Sequence, residues 1–212
     1  MMQTLSNTHK YGAIILCGGK SSRFNFIDKG SIDFKNTPLF IYPLRAVAPV
    51  VTEIIISVSE KNQHFYQQYL SAHKKEIPEY TIVVDVCPDY GPLGGMFSAF
   101  KFAKSEKIFV CACDMPFISQ DLVKYLFEIA GEYDVTVPYI NKNYEPLHAV
   151  YRRETTLKAI RKLINKKIYK IIEFYPELKV QKVPEKQLKK FDKKLRSFYN
   201  INTMEEYMRH FA

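Results

Sequence analysis

Long apolar runs are missing from this chain. No stretch of about 18 consecutive apolar residues occurs in its 212 residues, which argues against a membrane-spanning helix. The opening residues 1–10 are polar and hold no apolar centre of the kind a secretory leader needs. Low-complexity tracts are absent too. With 47% hydrophobic and 25% charged residues, the composition suits a chain that buries a core. Cysteine is scarce, at 17, 87, 111 and 113, and no two stand in C-x-x-C spacing. That excludes a disulfide frame or zinc site as the first reading and predicts free thiols in a reducing cytoplasm. Nothing reads as a linker or repeat, so one domain is expected, with no membrane partner.

Charge is unevenly spread. Residues 1–150 hold 14 Lys and Arg against 15 Asp and Glu, and residues 151–212 hold 17 against 7. The net charge of +9 therefore comes entirely from the last third. Such a surface suits nucleic acid, a phosphorylated ligand, or plain solubility.

Apolar runs predict strands over Ala13–Cys17, Glu53–Val58, Tyr80–Val84, Lys107–Ala112, Asp134–Val137 and Leu147–Tyr151, with a weaker one over Leu178–Val183. Helical patterns fall between them: Pro38–Val47, Gln63–Ser71, Met96–Lys104 behind a Gly91–Gly95 turn, and a helix capped by Ser119 and running through Ala130. Further helices are expected over Glu154–Ile164, Ile168–Tyr175 and, capped by Thr203, Met204–Phe211. Glu185–Arg196 reads as a lysine-rich solvated segment. The alternation predicts an α/β, Rossmann-like three-layer sandwich with a mainly parallel central sheet. Ligands of such sheets bind beyond the carboxyl ends of the strands.

One strand end stands out. The run to Cys17 stops at Gly18-Gly19, and a polar loop with Lys20, Ser21, Ser22, Arg23 and Lys29 follows. Paired glycines allow close backbone approach, and basic side chains suit an anion. Two phosphate motifs fail here. A Walker A loop needs glycine where Ile14 stands, and adjacent Gly18 and Gly19 do not fit G-x-G-x-x-G. Lys29 and Arg23 could still neutralise a triphosphate while loop amides add hydrogen bonds; a solvated surface turn is the ordinary alternative.

Other strand ends carry Ser57, Asp85 and Asp114. A carboxylate at Asp114 is placed to hold Mg²⁺, which takes one or two carboxylates plus substrate phosphates; a turn or cap is the alternative. Asp85, with Asp89 as its competitor, could meet metal, base or sugar. Gly91, Gly94 and Gly95 could let the chain pass close to a base, or serve ordinary turns. Asn202 could reach the metal or belong to a turn. His148 reads as a structural strand histidine. No Ser-His-Asp or Cys-His set is evident, and nucleotidyl transfer needs none.

Leu16-Cys-Gly-Gly-Lys-Ser-Ser-Arg-Phe24 with Asp28-Lys29 resembles the Leu-Ala-Gly-Gly-x-Ser-x-Arg-Met-Gly…Asp-Lys signature of nucleotidyltransferases. With Asp85…Gly91-Pro-Leu-Gly-Gly-Met96, Cys113-Asp-Met-Pro116, Glu145-Pro-Leu-His-Ala-Val-Tyr151 and Phe198-Tyr-Asn-Ile-Asn-Thr-Met-Glu-Glu206, the chain is similar to the molybdenum cofactor guanylyltransferase (MobA) family from about Gly12 to Glu206. The resemblance implies GTP, molybdopterin and Mg²⁺, with GMP joined to the pterin phosphate and pyrophosphate released. It implies nucleotide contacts at Leu16, Cys17, Gly18, Gly19, Lys29, Ser57, Asp85, Gly94 and Asp114. Lys29, Asp114 and Arg23 would carry the chemistry, and Asp114 and Asn202 the metal. The nucleotide half would span about 11–137 and the pterin part about 138–212. Cofactor-delivering proteins are possible partners; nucleic acid is not expected.

The pattern departs at Cys17, where alanine is usual, at Phe24-Asn25, where Met-Gly is usual, and at Ser57, where some relatives have asparagine. Two rivals stay open: a related enzyme using CTP or a sugar phosphate, and a non-catalytic nucleotide- or pterin-binding partner.

Overall fold

The computed structural model describes residues 10–18, 28–75 and 78–201. In chain order it contains β1 (Tyr11–Leu16), β2 (Asp33–Phe34), β3 (Thr37–Pro38), α1 (Ile41–Val47), β4 (Glu53–Val58), α2 (Gln63–Ala72), β5 (Thr81–Val84), α3 (Pro92–Phe102), β6 (Lys107–Ala112) and α4 (Gln120–Ile129). Then follow β7 (Val135–Ile140), β8 (Asn143–Tyr144), β9 (His148–Arg152), α5 (Arg153–Asn165), β10 (Val180–Pro184) and α6 (Glu185–Leu188).

Among the described residues the main sheet has eight strands, ordered β10-β7-β9-β6-β1-β4-β5, with β8 beside β7. Pairings β1–β4, β1–β6, β4–β5 and β7–β10 are parallel, whereas β9 runs antiparallel to both β6 and β7. The sheet is therefore mainly parallel, as expected, with β9 as a reversed insertion.

Both faces are covered, which is why β1 is apolar without a break. Ala13 and Ile15 face a core with Ile41 and Leu44 of α1, Tyr66 and Leu70 of α2, and Leu122 and Leu126 of α4. Ile14 and Leu16 face the opposite core, with Leu93, Met96 and Phe100 of α3 and Ile160 and Leu163 of α5. A third, small cluster joins Phe34, Leu39 and Ile201.

Three expectations need correction. Pro38 does not open a helix; it sits in the β2–β3 hairpin, and α1 starts at Ile41. The Gly91–Gly95 stretch is not a turn, because α3 already begins at Pro92. Proline suits a first helical position, and Gly91 before it adopts φ +55°, which favours glycine. Gly94 lies inside the helix because a Cβ there would run into the Cys87 carbonyl oxygen. Finally, Ile171–Glu177 is a 3₁₀ helix containing Pro176 rather than an α-helix over Ile168–Tyr175. The expected Thr203-capped helix lies outside the described residues.

The basic last third is divided. The α5 helix, with Arg153, Lys158 and Arg161, covers one face of the sheet, whereas Leu188, at the end of α6 and just before Lys189 and Lys190, packs into the other.

Candidate functional site

At the carboxyl ends of β1 and β6 lies a cleft of about 150 Å³, lined by Leu16, Cys17, Gly18, Asp28, Lys29 and Asp114, with Pro92, Leu147 and Asn200 at its sides. Its floor is sheet backbone. The Cys17 amide donates to the Ser57 carbonyl at 2.7 Å, and the Cys113 amide to the Leu16 carbonyl at 3.1 Å, so the ladder continues one residue past the strands. This extension delivers Gly18 and Asp114 to the cleft side by side.

Lys29 begins a 3₁₀ turn, Lys29–Ser31, that Asp28 caps: its Oδ1 accepts from the Gly30 amide at 3.1 Å. Burial raises the Asp28 pKa, with Tyr66, the Gly30 amide and Asn62 pulling partly the other way. Gly30 packs against the buried Tyr66 ring so closely that a Cβ would strike the Tyr66 hydroxyl. The turn thus aims the Lys29 side chain across the cleft, where Nζ lies 2.9 Å from Asp114 Oδ2. Asp114 is only 5% exposed, and its Oδ1 is buried without a hydrogen-bond partner. A buried carboxylate oxygen left unpaired is costly.

The structure brings together Leu16, Cys17, Gly18, Lys29 and Asp114. Asp85 stands on the same sheet edge but does not line the cleft. Its Oδ1 accepts from the Cys87 amide at 2.8 Å and the Ser98 hydroxyl at 3.1 Å, and burial raises its pKa. Gly94 is also away from the cleft, filled against by the Cys87 carbonyl. Ser57 does not line the cleft: its hydroxyl is buried and donates to the Gly95 carbonyl at 3.2 Å, pinning α3 to the sheet. Gly19, Arg23 and Asn202 lie outside the described residues.

Sequence reasoning missed the contributions of Pro92, Leu147 and Asn200. All three lie in motif stretches, Gly91–Met96, Glu145–Tyr151 and Phe198–Glu206, but attention there went to Gly94 and Asn202. The backbone after Asn200 is tied in, since the Ile201 amide donates to the Asp114 carbonyl at 2.9 Å. His148 is structural: fully buried, it lies between the Phe109 and Phe198 rings at 4.9 and 4.7 Å, and burial lowers its pKa to about 3.

All four cysteines are free thiols, and Cys17, Cys111 and Cys113 are buried. Cys113 is held well above the usual thiol pKa, chiefly by its hydrogen bond with Cys17 and by burial. Among the described residues no group of three or more His, Cys, Asp or Glu side chains is arranged to hold a metal. No described helix is long and apolar enough to cross a membrane.

A mainly parallel α/β sheet with Gly18 just beyond its first strand, beside a lysine–aspartate pair, suits a nucleotidyltransferase-type protein. Residues 13–181 match the MobA-like NTP transferase domain, and the chain belongs to that family. It is similar, at 32% identity over 208 residues, to a protein of Clostridium perfringens named probable molybdenum cofactor guanylyltransferase, covering 93% of this chain and 94% of that one. A Methanosarcina mazei protein of the same name is 32% identical, with 92% and 87% covered. The crystal structure of molybdopterin-guanine dinucleotide biosynthesis protein A from Archaeoglobus fulgidus superposes with a TM-score of 0.76 at 26% identity, covering 93% and 95% of the two chains. A 4-diphosphocytidyl-2C-methyl-D-erythritol synthase from Anaerococcus prevotii shares the fold, with a TM-score of 0.72 at 14% identity and 96% and 95% covered.

Proposed function

We propose that this protein transfers GMP from GTP to the phosphate of molybdopterin, forming molybdopterin guanine dinucleotide and pyrophosphate. The observation that carries the reading is the Lys29–Asp114 pair at the end of β1 and β6, with Asp114 Oδ1 buried and unpartnered beside Gly18. The names of the full-length relatives supply the two substrates.

The residues fit Mg²⁺. A single buried carboxylate oxygen, rather than a full protein cage, is what a cation needs when phosphates and water complete its shell. Asp114 would hold it, with Asn202 as second candidate. The bound ion would supply charge neutralisation on the phosphate oxygens.

The protein's own part is positioning and charge. Backbone at Leu16, Cys17 and Gly18 lets the triphosphate lie close to the sheet end. Gly19 would add a further nucleotide contact, and Asp85 and the Gly94 region offer the nucleotide's other end a place along the same edge. Lys29 exchanges its contact with Asp114 for the phosphates, and Arg23 adds a second cation. An oxygen of the pterin phosphate attacks the α-phosphorus, the bond to the β-phosphate oxygen breaks, and Lys29 offsets charge on the departing pyrophosphate. No covalent enzyme intermediate is required. The free thiols suit a reducing cytoplasm, where cofactor-delivering proteins would be the partners.

The test is pyrophosphate release with Mg²⁺, molybdopterin and each of GTP, CTP, ATP and UTP. GTP-selective release supports the proposal. Release with CTP alone moves the protein to a cytidylyl transfer, and release with none makes it a binding partner.

A further inference from the structure

Lys29 and Asp114 stand 85 positions apart in the chain, and their side chains meet only if two separate segments are held in register. Cys113, next to Asp114, lies against Gly30 of the Lys29 turn, and a residue further along the chain, Ile201, touches the scaffold of both. The Ile201 amide donates to the Asp114 carbonyl at 2.9 Å. Its side chain, 1% exposed, fills the small cluster with Phe34 and Leu39. Those two residues belong to the segment directly behind the Lys29 turn. Leu39 donates its amide to the Ile32 carbonyl at 2.9 Å, and Phe40 donates to the Gly30 carbonyl at 3.3 Å.

The segment leading to Ile201 is itself pinned. The Ser197 amide donates to Asp192 Oδ2 at 2.7 Å, and its hydroxyl, which donates to the Phe117 carbonyl at 3.3 Å, accepts from the Ser119 amide at 2.9 Å. Phe198 lies on the His148 ring. Phe117 and Ser119 follow Asp114 within one short loop, so this strap grips the Asp114 side at several points. Ile201 is where it crosses to the Lys29 side. The Phe34–Leu39–Ile201 cluster is also separate from the two large cores, so it adds little to holding the sheet together.

We propose that Ile201 is a positioning residue for nucleotidyl transfer, a latch that sets the Lys29–Asp114 geometry by binding Asp114 through its backbone and the Lys29 segment through its side chain. It acts through those two residues and touches no substrate. The proposal rests on the reading of the cleft as the nucleotidyl-transfer site. Removing the side chain loosens one half of the pair from the other, and loss of alignment at reacting phosphates costs turnover more than substrate affinity.

The test compares wild type with Ile201→Ala, Ile201→Val and Leu188→Ala. Leu188 is equally buried but belongs to a large core rather than to the Phe34–Leu39–Ile201 cluster. Ile201→Ala should lower kcat for pyrophosphate release about tenfold while KM for GTP stays within about twofold, and Ile201→Val should recover most of the loss. Leu188→Ala should unfold at a lower temperature than Ile201→Ala yet keep kcat within about twofold at 25 °C. In parallel, zero-length carbodiimide coupling of Lys29 to Asp114, quantified by mass spectrometry, should fall in Ile201→Ala and return in Ile201→Val. This second readout needs no turnover. If wild type releases pyrophosphate from no nucleotide, the functional reading fails while coupling still tests the latch. Unchanged coupling in Ile201→Ala, or kcat tracking stability equally in Leu188→Ala, overturns the proposal.

Discussion

Lys29 Nζ sits 2.9 Å from Asp114 Oδ2, while the other oxygen of the same carboxylate is buried with no partner. The pair is therefore half-used in the protein alone. One oxygen is paired with a lysine that is a quarter exposed, and the other is buried without a donor. Replacing Asp114 by Asn, or Lys29 by Ala, should reduce pyrophosphate release by at least about 100-fold. Lys29→Ala leaves the buried Asp114 carboxylate without its counter-charge and should also lower thermal stability, whereas Asp114→Asn removes that charge and should change it less. Steady-state kinetics alongside calorimetric melting separates the two effects.

Chelation provides an independent check on Asp114 Oδ1. Removing divalent ions with EDTA should abolish turnover, and excess Mg²⁺ should restore it. Isothermal titration of Mg²⁺ into the protein with a non-hydrolysable GTP analogue should give a binding heat that Asp114→Asn loses, since an amide oxygen carries no charge to offset the ion.

Ser57 and Gly94 should act on stability. Ser57→Ala removes the hydrogen bond to the Gly95 carbonyl and should cost about 1 kcal/mol in urea unfolding, with KM for GTP within about twofold. Gly94→Ala should cost more, about 2 kcal/mol or above, because the new methyl meets backbone oxygen rather than a movable side chain. Gly95→Ala should be milder, its closest neighbours being the Ser57 hydroxyl at 3.1 Å and the Leu16 side chain at 3.2 Å.

His148 sets a pH dependence. Its native pKa is lowered by burial to about 3 from an ordinary value of 6.5, against a weaker opposing pull from Asp192. Between those values the unfolded chain takes up a proton that the native protein refuses. Stability therefore falls as pH drops from about 6.5 towards 3, by about 1.4 kcal/mol per unit for one such group. Neither ring nitrogen has a hydrogen-bond partner, so His148→Leu sacrifices no bond. Urea unfolding across pH 4–7 should show the variant gaining on wild type as pH falls. Asp28, Asp85 and Glu145, raised by burial, contribute the opposite slope, but equally in both proteins, so the difference curve isolates His148.

The strands were legible because a sheet covered on both faces writes unbroken apolar runs such as Ile54–Ile56. Asp114 was legible because a charge directly after such a run has few structural reasons to be there. Less could be read where packing, not local preference, decides. Gly94 and Gly95 look like turn residues in sequence, yet they sit in α3, where the Cys87 carbonyl leaves no room for a side chain at Gly94 and the Ser57 hydroxyl leaves little at Gly95. Ser57 reads as a polar strand end, but its partner is a carbonyl 38 residues away. The β2–β3 hairpin is too short to register as a period, and Pro38 masked it as a helix start. Ile201 carried no signal, since an isoleucine between asparagines reveals neither Asp114 nor Phe34.

The reversed strand has a consequence in time. β9 lies between β6 and β7 in the sheet, although β7 is synthesised before it. As the chain emerges, β5, β4, β1 and β6 can already pair with one another, but β7 has no seat beside them until His148–Arg152 arrives to fill the gap. Only then can β10 add to the far edge of β7. The first 112 residues can thus assemble a four-stranded half-sheet on their own terms, and the rest must join as a block behind a single strand.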